Sequence, residues 1–155
     1  MPETTRGLIR AEHEGRYRWA TSVVGDKEVL DAGCGVGYGT KMLAEAGASR
    51  VIGVDIAGEA VDDAILRAGS IGEFVVGDLE QLPFKPRSFD VAVCFEVIEH
   101  VPRRERVLEE PRRVLRPEGV LIVSSPNRNV YHAKHEFSGR EGQLRRGQRS
   151  RLRAE

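Results

Sequence analysis

Apolar residues along the chain come in short runs divided by polar, glycine-bearing breaks. Five runs are continuous rather than alternating: Val29-Leu30, Val51 to Val54, Phe74 to Val76, Val91 to Phe95 and Val120 to Val123. Such runs mark strands buried on both faces. They predict strands over 28–30, 50–54, 73–76, 89–95 and 120–123. Between them the apolar spacing lengthens to three and four, the helical period. One helix is expected over 12–24, with Tyr17, Ala20, Thr21 and Val24 on one stripe and Gly25-Asp26 as its stop. Others are expected over 41–46, closed by Gly47, over 59–68, and over 103–115. Pro111 falls inside the last of these. A mid-helix proline costs about 3 kcal/mol, so a kink or two short helices are expected there. Residues 116–119 read as a turn.

Strands alternating with helices imply a three-layer α/β sandwich with a mainly parallel sheet. Residues 1–137 read as that domain, with 1–12 polar and loose. The stretch 139–155 holds six arginines and two glutamates, with only Leu144 and Leu152 as sizeable apolar residues. Nothing there reads as a strand, and 138–155 is expected to be a basic, disordered tail.

Composition narrows the function without naming it. The chain has 155 residues, 40% hydrophobic and 31% charged, with a net charge of zero. That suits one globular domain and gives no overall pull toward nucleic acid or membrane. Two cysteines, Cys34 and Cys94, read as small buried hydrophobes in a reducing compartment. The first ten residues lack the apolar core of a signal peptide, so a cytoplasmic location is expected.

The chemistry gathers after the first strand. Asp31 is followed by glycines at alternate positions, Gly33, Gly35, Gly37 and Gly39. A loop without Cβ atoms takes positive φ and lets a ligand touch backbone. A helix start just beyond offers unpaired N–H groups. A dinucleotide loop wants Gly-x-Gly-x-x-Gly, and counted from Gly33 that third glycine is Tyr38. An acid at the strand end suits a cation better than a pyrophosphate. Asp55 ends the second strand 20 residues after Gly35, where a carboxylate reaches a ribose diol. Ile56 beside it could pack on a base.

The loop from Val29 to Thr40 resembles the first motif of the class I S-adenosylmethionine (SAM) methyltransferases. Gly77 to Phe84 is similar to their Gly-Asp-x-x-x-Leu-Pro-Phe signature. The chain is therefore identified as resembling the small-molecule, ubiquinone-biosynthesis-like group over residues 17–135. The resemblance implies a Rossmann-like sheet of order 3-2-1-4-5 and SAM as cofactor, leaving S-adenosylhomocysteine. It implies that Asp31 and backbone at Gly33, Cys34 and Gly35 hold the amino-acid tail. Asp55 would hold the ribose, Asp78 and the Leu79 backbone the adenine. Tyr17 or Arg18 would cover the cofactor, and Phe95 and Glu96 would line its site. The family's last two strands have no counterpart in 139–155, so the C-terminus reads as incomplete. The fifth strand is then an open edge on which two copies could pair.

Glu96, Glu99 and His100 stand together after the fourth strand. His100 is a candidate general base, since imidazole titrates near neutrality. The same group, with His132 or His135, could converge on a divalent metal; a structural role is favoured over that alternative. Methyl transfer to a small-molecule acceptor, at oxygen, is the expected activity. A SAM-binding module without catalysis and an NAD-dependent oxidoreductase are the alternatives.

Overall fold

The structure is a computed structural model that describes residues 3–126, with side chains from residue 11 onward. It contains α1 (Glu3–Ala20), a 3-10 turn (Thr21–Val23), β1 (Glu28–Ala32), α2 (Tyr38–Glu45), β2 (Arg50–Asp55) and α3 (Gly58–Ala68). Then follow β3 (Glu73–Val76), β4 (Phe89–Phe95), α4 (Arg104–Val114) and β5 (Leu115–Ser124). The five strands form one sheet of order β3-β2-β1-β4-β5, and every pairing is parallel. The expected α/β architecture and strand order hold.

Strand periodicity splits the core between two faces. Leu30, Ile52, Ala92 and Cys94 point to the side of α4, where Val107 and Val114 meet them. Val29, Val51, Val91, Val93 and Phe95 point to the other side, against Tyr17, Ala20 and Val24 of the first helical segment and Leu43 of α2. The apolar run of β1 stops at Asp31, yet the strand continues: Asp31 and Ala32 pair with Gly53 and Val54.

Four expectations need correction. Helix α1 starts at Glu3 rather than at residue 12. Glu, Arg, Leu and Ala dominate 3–12, and such residues extend a helix once its next turns are packed, whatever their polarity. Thr21 and Ser22 then turn their hydroxyls onto the carbonyls of Arg18 and Trp19, which tightens the end into the 3-10 turn. Helix α2 begins at Tyr38, because Gly37 takes a left-handed φ of 79° and caps it. Pro111 does not divide the segment into two helices: α4 runs on from Arg104 to Val114, and the Leu115 N–H returns to the Pro111 carbonyl. One lost hydrogen bond is offset there by burial of the ring. Residues 116–119 are no free turn but a bulge within β5. Phe89 pairs with Leu115 and Val91 with Val120, so extra β5 residues loop out between them.

The amino ends of the strands are tied by charge. Arg116 in the bulge reaches Glu28 of β1, and Asp90 of β4 at 2.7 Å, while the Glu28 N–H donates to Asp90 at 2.9 Å. Their carboxyl ends carry the site.

Candidate functional site

The order reverses at β1, with β2 on one side and β4 on the other, so the carboxyl ends of β1, β2 and β4 open a switch-point crevice. The glycine loop forms its floor. N–H groups of Gly33 and Cys34 donate to the Val54 carbonyl at 2.7 and 3.0 Å, pinning the loop to β2. Gly33, Gly35 and Gly37 all have positive φ. A Cβ on Gly37 would strike Ala64 and Phe74, but a Cβ on Gly35 would meet nothing within 4 Å. The loop is thus tight below and open above Gly35. Helix α2 begins just beyond, without a side-chain cap.

Asp55 borders the open side. Its two carboxylate oxygens accept from the Gly35 N–H at 2.8 Å and the Ala57 N–H at 2.9 Å. A carboxylate has about four lone-pair sites, so capacity remains for hydroxyl donors. Ile56 next to it is 70% exposed, and Val36 and Tyr38 are exposed across the loop. Asp78 lies in the loop after β3, exposed, with Oδ1 accepting from the Glu80 N–H. That loop is held from beneath: Glu110 accepts from the Leu82 N–H, and Arg113 donates to the carbonyls of Leu82 and Phe84. The Arg113 guanidinium keeps the Glu110 carboxyl below the usual carboxylate range.

Other expected contacts lie beneath the surface. Asp31 is fully buried, its oxygens taken by the Tyr17 and Thr40 hydroxyls at 2.9 and 2.7 Å. Burial pushes its carboxyl up to about 6, against the lowering pull of those two hydrogen bonds. The tail of a ligand would therefore meet backbone at Gly33 and Gly35, and Asp31 would act from below. Tyr17 and Phe95, expected as cover and wall, are buried core rings packed edge-on, 5.0 Å apart. Cys34 and Leu79 are also buried, leaving Cys34 and Cys94 as the expected small hydrophobes; burial raises both thiols to about 12. Arg18 is exposed on α1.

Thr40 carried no signal in the chain, because a lone hydroxyl beyond a glycine loop reads as a turn residue. Arg16 was equally silent; it sits 3.4 Å from Glu96. Glu96 takes a left-handed φ of 57° at the end of β4 and accepts from the Ser124 hydroxyl at 3.0 Å. His13 lies above, hydrogen-bonded to Tyr38, its imidazole pKa lowered by burial although Glu96 opposes this.

His100 projects outward, with its side chain 76% exposed and Nε2 3.9 Å from Glu99. The other Glu99 oxygen is buried and has no hydrogen-bond partner among the described residues. Among those residues no three His, Cys, Asp or Glu side chains converge as metal ligands, so Glu96, Glu99 and His100 are not brought together as a metal set. His132, His135, the 137/138 boundary and the tail lie outside the described residues. Two clefts, of about 530 and 450 Å³, lie at Arg87-Arg112-Arg116 and at Asp78-Glu80-Arg103-Arg106-Glu110, the second bordered by Asp78 itself. No helix among the described residues is long and apolar enough to cross a membrane.

The chain is similar to known proteins in sequence and in fold. Residues 30–123 match a family described as a methyltransferase domain. A probable S-adenosylmethionine-dependent methyltransferase of Mycolicibacterium smegmatis is 40% identical over 119 residues, 77% of this chain and 46% of that protein. A ubiquinone biosynthesis O-methyltransferase of Idiomarina loihiensis is 39% identical, over 67% of this chain and 44% of its own. The crystal structure of the PH0226 protein of Pyrococcus horikoshii OT3 superposes with a TM-score of 0.65 at 31% identity, covering 79% of this chain and 58% of that one. The chain spans about half the length of the curated relatives it matches.

Proposed function

The chain belongs to the class I S-adenosylmethionine-dependent methyltransferases, and on that premise we propose that it binds SAM in the crevice and methylates a small-molecule acceptor at oxygen. One observation carries the reading: the backbone at Gly35 faces open space beside a strand-end carboxylate, with an uncovered Ile56 next to it. An amino-acid tail, a ribose diol and a flat base need those three features in that order. Backbone at Gly33 and Gly35, with the uncapped start of α2, holds the tail. Asp55 accepts from the ribose hydroxyls. Ile56 lies against the adenine, and Asp78 accepts from its amino edge.

Bound SAM supplies an electrophilic methyl on sulfur. The chain's part is placement, since direct displacement needs in-line approach and orientation supplies much of the rate. Glu96, held by Arg16 and Ser124, borders the acceptor side at the end of β4. Glu99 and His100 follow it, and we assign to His100 the removal of the acceptor's proton. The name of the Idiomarina relative favours oxygen as the acceptor atom. The outer side of β5 has no sheet neighbour among the described residues, and pairing of two copies there belongs to the same proposal.

Calorimetry with SAM and NAD, followed by a methyl-release assay on phenols, amines and activated carbon acids, tests the reading. SAM binding with turnover on a phenol is the expected result. Preference for NAD would overturn the cofactor assignment; binding without turnover on any acceptor would leave a SAM-binding module.

A further inference from the structure

Asp31, Tyr17 and Thr40 form a buried triangle whose charge nothing around it balances. Tyr17 arrives from α1 and Thr40 from α2, each giving its hydroxyl to one oxygen of Asp31 at the end of the central strand. The tyrosine is fixed in place. A Cβ on Gly39 would overlap its ring, and Phe95 meets it edge-on. The other titratable groups that face Asp31 are Cys34 in the loop, Asp55 on β2 and Cys94 on β4. None is a cation. Two hydroxyl dipoles therefore hold the carboxylate without neutralising it, and its field persists into the crevice through a poorly polarisable interior.

We infer that Tyr17 and Thr40 are positioning residues that keep Asp31 as a fixed negative charge beneath the glycine loop, so that the crevice selects a cationic sulfonium over the neutral thioether left after methyl transfer. This rests on the SAM reading above. SAM and S-adenosylhomocysteine offer the same nucleoside and the same amino-acid tail, and differ in one methyl and one positive charge. The buried anion attracts the tail ammonium of both and the sulfonium of SAM alone.

The test compares affinities for SAM and S-adenosylhomocysteine by calorimetry, between pH 5 and 7.5, in wild type, Asp31→Asn, Tyr17→Phe, Thr40→Val and Thr40→Ser. The ratio of SAM affinity to S-adenosylhomocysteine affinity should fall about tenfold in Asp31→Asn and about threefold in Tyr17→Phe and Thr40→Val at pH 7, while Thr40→Ser keeps it. In wild type the ratio should drop as the pH falls through about 6. Tyr17→Phe and Thr40→Val should move that midpoint upward, having lost donors to the ionised form. Parallel losses for both ligands, with ratio and midpoint unchanged, would show packing alone and overturn the inference while leaving the cofactor site intact. Folded wild type that binds neither ligand would overturn both. If Tyr17→Phe does not fold, Thr40→Val and Asp31→Asn carry the same comparison.

Discussion

Asp31 and Asp55 end neighbouring parallel strands and flank the same loop, yet they live in opposite surroundings. Each takes two donors. Those of Asp31 are side-chain hydroxyls, and it is sealed from water. Those of Asp55 are backbone N–H groups, and it stands half-exposed at the crevice. The backbone donors shape the loop around Asp55 and leave it lone pairs for a guest. Burial closes the remaining lone pairs of Asp31 to any guest and leaves it only its charge. A carboxylate beside a glycine loop can thus serve by contact or by field, and its donors and burial decide which.

The largest effect expected from breaking that contrast falls on the sealed side. Gly39→Ala would drive a methyl into the Tyr17 ring; the buried ring has nowhere to go, and urea denaturation should show a loss of about 3 kcal/mol. The same change at Gly35 meets nothing and should cost about 1 kcal/mol, from its positive φ alone.

Next comes the pH dependence of Asp31. Its folded pKa is raised from 3.8 to about 6. Between those values the folded state holds a proton that the unfolded state has lost. Asp31 therefore lowers stability as pH rises through this window, and the loss is complete above it. Asp31→Asn should exceed wild type by about 1–3 kcal/mol at pH 7, with the difference vanishing near pH 3.5. Urea midpoints across pH 3.5 to 7.5 measure it; a difference that is constant with pH would refute the assignment.

On the open side the effects are on affinity. Asp55→Ala should weaken SAM binding by about 1–3 kcal/mol in calorimetry, and unchanged affinity would remove it from the ribose. Ile56→Ala should do least, costing about 0.5–1 kcal/mol of SAM affinity from lost apolar contact and nothing measurable in stability, since the side chain is already in water.

The strands were legible because continuous apolar runs between polar breaks have few other meanings. Residues 73–76 and 89–95 match their observed strands at both ends. The helix starts were less so, because they depend on backbone freedom that residue type only permits: Gly37 could have continued the loop, and instead it caps α2. The site divided along the same line. Asp55 and Gly35 could be singled out because a strand-end acid and a glycine loop are patterns in the chain, although the bond that joins them spans 20 residues. The roles of Tyr17 and Thr40 depend on meeting Asp31 across 14 and 9 residues of chain, which no local pattern records. Phe95 shows the same dependence: it ends β4 as expected, and strand parity packs its ring against Tyr17 of α1.

Placing β1 in the middle of an all-parallel sheet has a consequence for synthesis. Its neighbour β4 follows far behind, as the 62-residue separation of Glu28 and Asp90 shows. At about 5–20 residues per second a ribosome needs roughly 3 to 12 seconds to deliver the second strand. For that interval Val29 and Leu30 have one flank unpaired, an edge open to mispairing until β4 emerges.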